Sequence, residues 1–225
     1  MANTTHGVSS VQAHVLRITK LNADGSVDTG NPQGTYIFDQ LVTLNINPEI
    51  LEGQDIEQIL ASGVQCVKFK DKDRLTGFSF DMELCTWDGE LMDVLGLVPS
   101  TIVDGSGDTI GVDFGGDSST SCSSSTTIAK PVAFELWTKA WDCTSPKAGF
   151  TYIRWVFPFV EFAFQDQWSV DNGVTLFSVG GDGSSNAAFP ALGPHSDMPY
   201  ALTSAGAMFL DATAPTAVSG YQATP

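Results

Sequence analysis

Hydrophobic and polar positions change period several times along the chain, and each change marks an element. Residues 150–181 form a dense run of aromatic and β-branched side chains, FTYIRWVFPFVEFAFQDQWSVDNGVTLFSVGG. Such residues suit the pleated, half-buried surface of a sheet, and Asn172-Gly173 between two such runs is a hairpin signal. Residues 152–165 and 174–180 are therefore predicted strands, the first with a kink or bulge at Pro158. At about 3.3 Å per residue, 151–165 crosses a small domain with rise to spare. Strands that outrun their own core usually meet something else, often a copy of themselves.

Earlier in the chain, 11–21 and 35–47 read as strands separated by the turn-rich stretch 22–26, with Pro48 closing the second. The next segment, 49–63, is acidic and long for a hairpin loop. It carries Ile50, Leu51, Ile56, Ile59 and Leu60, which a solvated loop has no use for. A functional loop is one reading and a short helix the other. Residues 64–87 read as a hairpin in which Phe78, Phe80, Met82 and Leu84 alternate with Ser79, Asp81 and Glu83, one face buried and one wet. Around its turn, Lys68, Lys70, Lys72 and Arg74 place four of the ten positive charges. They read either as protection of a strand edge or as an ionic seam against an acidic neighbour.

Residues 88–96 carry the best helix pattern. Asp88 can cap it, Leu91, Val94 and Leu95 share a face, Gly96 ends it and Pro99 blocks continuation. It is expected to pack over an open end of the sheet. Residues 101–127, rich in Gly, Ser and Asp, read as an extended or poorly ordered surface excursion, and a strand resumes at 128–141. After Gly181 the composition shifts to Gly, Ala, Ser and Pro. The chain thus divides into a body, 1–181, and a C-terminal arm, 182–225, through which Phe189, Met198, Tyr200, Met208, Phe209 and Leu210 are scattered.

A chain of 225 residues has room for one domain core with an appendage. It has no apolar run of the roughly 18 residues a membrane-spanning helix needs. Its first residues lack the basic and apolar regions of a secretory signal, so cytoplasmic synthesis is expected. The net charge of −16, from 26 acidic and 10 basic residues, argues against a nucleic-acid binder that works by neutralising phosphates. It leaves open an acidic wall past which DNA slides without sticking. The four cysteines show no C-x-x-C spacing, against zinc or dithiol chemistry. Cys66 and Cys85 read as buried thiols; Cys122 and Cys143 flank a predicted strand and are open to pairing in an oxidising environment.

Candidate chemistry is sparse. His6, His14 and His195 each stand alone, and no G-x-S-x-G elbow, P-loop or H-E-x-x-H is present. The string Asp104, Asp108, Asp113, Asp117 departs from calcium-loop spacing and lacks the bidentate Glu, so it reads as a solvated loop. Asp88, Glu90 and Asp93 are better explained as favourable charge at a helix start than as a glycosidase pair. Trp87, Trp137, Trp141, Trp155 and Trp168 read as core or interface, with sugar stacking as the alternative. No catalytic residue, metal ligand or cofactor is expected.

The order of elements, two strands, a long acidic loop, a hairpin, a short helix and a Trp-rich strand pair with an N-G turn, resembles the major tail tube proteins of long-tailed bacteriophages, particularly those of actinobacteria. The matching stretches are DQLVTLNINPE (39–49), GQDIE (53–57) leading to GVQCVK (63–68), the strand-to-helix junction at 84–95, and YIRWVFP (152–158) with Asn172-Gly173. Together they span about two thirds of the chain. The resemblance implies a mainly β protein, a tail-tube-type β-sandwich or barrel with one short flanking α-helix and a long inter-strand loop. It implies hexameric rings whose inner sheets join into a β-lined channel, stacked into a tube. The partners implied are further copies of the chain, the tape measure protein, tail terminator and distal tail or tip proteins, and double-stranded DNA in transit, all within the virion. The loop that would reach the next ring corresponds to Glu49, Ile50, Leu51, Glu52, Asp55, Ile56, Glu57, Ile59 and Leu60, with Lys68, Lys70, Lys72 and Arg74 as ionic subunit contacts. A different class, a virion surface or decoration module that binds host glycans, is the alternative.

Overall fold

The computed structural model describes residues 9–29, 34–59, 61–62, 65–84, 88–98, 100–114, 130–142, 145–146, 149–165, 177–189, 202–216 and 220–222. The protein is mainly β with one short helix. In chain order the elements are β1 (Ser9–Lys20), β2 (Thr35–Phe38), β3 (Leu41–Leu51), β4 (Asp55–Ile59), β5 (Gln65–Lys70), β6 (Arg74–Leu84), α1 (Gly89–Val94), β7 (Ser100–Val103) and β8 (Thr109–Asp113). They continue with β9 (Val132–Asp142), β10 (Ser145–Pro146), β11 (Tyr152–Phe164), β12 (Phe177–Gly183), β13 (Ala207–Asp211) and β14 (Gly220–Gln222). Ten strands share one open sheet with the path β14-β2-β1-β9-β11-β12-β6-β3, β10 pairing with β9 and β13 with β11. The pairs β4–β5 and β7–β8 are separate two-stranded ribbons.

The period-two pattern builds the core. Leu16 and Ile18 of β1, Tyr36 and Phe38 of β2, Phe134 of β9, Phe162 of β11, Val179 of β12 and Phe80 and Met82 of β6 meet in one buried cluster. Strands from both ends of the sheet path contribute to it, so the sheet bends over on itself without closing. Helix α1 packs against this cluster through Leu91, Met92 and Val94. Its cap forms as expected, Asp88 Oδ1 accepting from the Glu90 and Leu91 amides at 3.0 and 3.1 Å. Gly96, at φ +70°, turns the chain out while the Leu97 amide reaches back to the Met92 carbonyl at 2.9 Å, a Schellman closure. Lys20 Nζ donates to Asp93 at 2.7 Å and Tyr36 bonds to Asp88, tying the helix to β1 and β2.

The opposite face of β9 and β11 is buried as well, because the segment after Gly181 returns to cover it. Phe189 and Leu202 pack on Leu21, Ala133 and Val156, β13 pairs with Tyr152–Val156 of β11, and β14 pairs with β2. Over its described residues, 182–225 is therefore part of the sheet and its second core rather than a detached arm. Asn186 fixes the return, its Nδ2 donating to the carbonyls of Gly25 at 2.8 Å and Pro158 at 3.1 Å. The bulge expected at Pro158 is present: the β11–β9 register shifts between Phe157 and Val160.

Three further expectations are corrected. The strand placed at 35–47 is two strands: Asp39 and Gln40 separate β2, which stays with β1, from β3, which pairs with β6 at the far end of the path. Pro48 does not end β3, which runs on to Leu51. β3 is the last strand of the sheet, where a missing N–H on the free side costs no ladder bond. Finally, 64–87 is not one hairpin, since β5 pairs with β4 and β6 with β3 and β12. The alternation within it holds, Phe80, Met82 and Leu84 being buried and Phe78 packing at the margin of the core. The Asn172-Gly173 turn, Leu60, Cys85, Trp87, Cys122, Cys143 and Trp168 lie outside the described residues, although β11 and β12 on either side of that turn pair antiparallel.

Candidate functional site

The long loop of the sequence reading is the outer half of a two-stranded arm. From the body, β3 and β6 run out together, Ile50 opposite Leu75 and Leu51 opposite Arg74. The ribbon continues as β4 and β5, Asp55 opposite Lys70, Ile56 opposite Phe69 and Glu57 opposite Lys68. The segment 55–59 is thus a strand rather than a helix. A joint separates the two ladders. There the Gly53 amide donates to Asp73 Oδ1 at 2.9 Å and the Asp71 amide to the Gln54 carbonyl at 2.9 Å. The strands approach so closely that a Cβ on Gly53 would lie 2.2 Å from the Asp71 carbonyl oxygen. A concavity of about 230 Å³ opens at the joint, lined by Leu51, Ile56, Phe69, Lys72 and Arg74 among others.

Every described residue of β4 and β5 is exposed. Seven large apolar side chains, Ile50, Leu51, Ile56, Ile59, Val67, Phe69 and Leu75, nevertheless stand on the arm at 45–60% exposure. An isolated two-stranded ribbon is marginally stable in water, and a patch of this size marks an interaction surface. On β4–β5 the side chains sort by register: Ile56 and Phe69 share one face with Gln58 and Val67, while Asp55, Glu57, Lys68 and Lys70 occupy the other. Glu49 stands opposite Gly77 at the base of the arm and Glu52 at the joint. Lys68, Lys70, Lys72 and Arg74 form no salt bridge with another described residue. Cys66, expected to be a buried thiol, is exposed on β5 because nothing covers that strand.

A second surface has no counterpart in the sequence reading. On the side of β3, β6, β12 and the end of β11 that faces away from the core, the register aligns Asn45 with Asp81 and Gly180, and Asn47 with Ser79, Asp182 and Glu161. Glu83 lies opposite Thr43 and Ser178 in the adjoining row. In the rows of Thr43, Asn45 and Asn47 this four-stranded face carries the carboxylates Asp81, Glu83, Glu161 and Asp182, no lysine or arginine, and no apolar side chain larger than Ala163. Gln165 Nε2 donates to Asp81 at 2.8 Å, bridging two of its strands. Each of its strands is legible as amphipathic; the acidic face emerges only from their pairing.

The first part of 101–127, which reads as an extended or poorly ordered surface excursion, contributes to the β7–β8 ribbon. The ribbon stands beside α1, with Ile102, Val103, Ile110 and Phe114 about half exposed. Asp104 organises its turn, accepting from the Ser106 and Asp108 amides at 2.8 and 3.0 Å. These backbone bonds hold the Asp104 carboxyl below its usual range.

Between the faces, Glu135 is fully buried. It accepts from Arg17 Nε at 2.6 Å and from Arg154 Nη2 at 2.5 Å. The two guanidiniums lie 5.0 and 4.7 Å from the Trp137 ring, and Arg154 also reaches Asp211 of β13 at 3.5 Å. Burial alone would raise the Glu135 pKa; the two arginines outweigh it and hold the carboxylate low. Of the other tryptophans, Trp155 is half-buried with Nε1 donating to Thr138 at 3.3 Å, and Trp141 is 39% exposed at the end of β9. Among the described residues, no group of three or more His, Cys, Asp or Glu is placed to hold a metal ion, and no helix is long and apolar enough to cross a membrane. Compared with known proteins, the chain matches no protein-family model and no curated protein.

Proposed function

We propose that this chain is a non-catalytic structural subunit of a bacteriophage tail tube, a sandwich-like body that forms rings which stack around a tape measure protein and conduct double-stranded DNA. The observation that carries this reading is the arm: seven large apolar side chains held out on a ribbon that buries none of them within its own chain. A monomer would expose this surface for nothing, whereas a stacked subunit buries it against the next copy.

Two further features support the reading. The acidic four-stranded sheet has a free edge on each side among the described residues: β3 ends the path, and β9 pairs with β11 only as far as Val160, leaving 161–164 open on that side. β3 and β11 run in opposite directions, since each step β3-β6-β12-β11 is antiparallel. Copies related by rotation would therefore join edge to edge as an antiparallel pair, and closure would remove the edges. The charged groups in the aligned rows of the face so closed are carboxylates alone. The face repels phosphate and offers DNA no site from which it must detach.

The test is electron microscopy of the purified protein at high concentration, with particle mass from light scattering. Rings or hollow tubes are the expected result. A chain that stays monomeric and shows tryptophan quenching with sugars would instead favour the glycan-binding class.

A further inference from the structure

The arm and the β7–β8 ribbon lie at opposite ends of the same strands. The arm leaves β3 and β6 beyond Leu51 and Arg74. At the other end, Leu41 pairs with Leu84, Leu84 with Phe177, and Phe164 with Val179 one step away. Phe114, at the end of β8, packs on Phe164 with ring centroids 6.1 Å apart. The eleven residues of β3 therefore separate the two surfaces, by roughly 35 Å at strand rise.

Their chemistry is complementary. The arm holds four of the ten lysines and arginines of the chain on β5, the joint and the start of β6. The β7–β8 ribbon holds Asp104, Asp108 and Asp113 and no cation, beside half-exposed Ile102, Val103 and Ile110. Of the remaining described cations, Arg17, Lys20 and Arg154 are buried in ion pairs, Lys139 donates to Gln12 and Lys130 stands exposed before β9, so the arm holds the largest group of cations among the described residues.

We propose that the β7–β8 ribbon is the receptor for the arm of a second copy, the charged face of the arm turned toward it so that Lys68 and Lys70 meet Asp108 and its neighbours. Because donor and receptor are different surfaces at opposite ends of one chain, the contact is heterologous and propagates without closing. This rests on the tube reading and names the surface that the stacking arm engages.

The test uses the full chain with paired charge reversals. K68E/K70E and D108K should each leave the thermal midpoint unchanged, as all three side chains are exposed, and each should cut assembled mass by about tenfold or more. Combining them in one chain should restore assembly. Independently, D108C should form a disulfide with Cys66 of another copy under mild oxidation, located by peptide mass spectrometry. A combined variant no better than its parents, or normal assembly in every variant with Cys66 cross-linking elsewhere, overturns the pairing and leaves the tube reading standing. A wild-type chain that never self-associates, together with a D108C variant that yields no Cys66 cross-link, overturns both.

Discussion

Phe80 has no exposed surface, and its ring meets those of Phe134, Phe157 and Phe162 with centroids 4.8–6.3 Å apart. It joins strands that are distant in sequence, so its removal leaves a cavity that no single neighbour can fill. Phe80→Ala is expected to cost about 3–5 kcal/mol in urea unfolding; a loss well under 1 kcal/mol would place this side chain outside the core. Glu135 gives a pH signature. Its folded pKa lies below its unfolded one, so its contribution to stability is complete above the ordinary carboxyl range, about pH 4–5, and is lost as pH falls through the folded value. Glu135→Gln should remove that part of the acid transition. At neutral pH it should also destabilise by about 3–5 kcal/mol, since Arg17 and Arg154 then lack their carboxylate. Denaturant titrations at several pH values read both effects. An unchanged acid midpoint in the variant would show that other groups govern acid unfolding. Phe80 is legible in the sequence because its strand alternates with period two. The Arg17–Glu135–Arg154 cluster is not, because a charge within an alternating strand reads as the wet face until register places three such residues together.

The arm should behave as a separable element, because β4 and β5 bury nothing against the body. Replacing 54–72 with an Asn-Gly turn between β3 and β6 is expected to leave the melting temperature within a few degrees while abolishing ring stacking. Normal-length tubes from this variant would exclude the arm from the contact between rings. The joint is a finer test: Gly53→Val cannot be accommodated against the Asp71 carbonyl, so it should re-angle the arm and weaken assembly without lowering the melting temperature of the body. The apolar surplus of 49–63 is visible in the sequence, but its strand form is not. Ile56 and Ile59 are spaced by three, a helical interval, and the partner of 55–59 lies beyond the tip at 65–70. Read from sequence alone, that partner pairs with β6, the next strand along the chain. Helix α1 is legible to its last residue because both ends carry their own stop signals in Asp88 and Gly96.

Over the whole molecule the charges are segregated rather than mixed. Among the described residues, four exposed cations, Lys68, Lys70, Lys72 and Arg74, stand together on the arm, while Asp81, Glu83, Glu161 and Asp182 share a sheet face that contains no cation. A face with four carboxylates and hardly any apolar area gains little from docking a protein, yet it lies on the four strands whose two free edges would close a ring. If that face lines a channel, its accessibility must depend on the size of the probe. In a Cys66→Ser background, Ser79→Cys places a thiol in the middle of this face, opposite Asn47 and Asp182. In the dissociated subunit that thiol should react with both a small maleimide and one bearing a long polymer. After assembly the small reagent should still enter and label it, whereas polymer labelling should fall to background. Equal labelling of the assembled particle by both reagents would put the acidic face on the exterior, and DNA repulsion would then no longer explain its charge. Loss of labelling by both would mean that the face is buried between copies, which four carboxylates without a neighbouring cation make the costliest arrangement of the three.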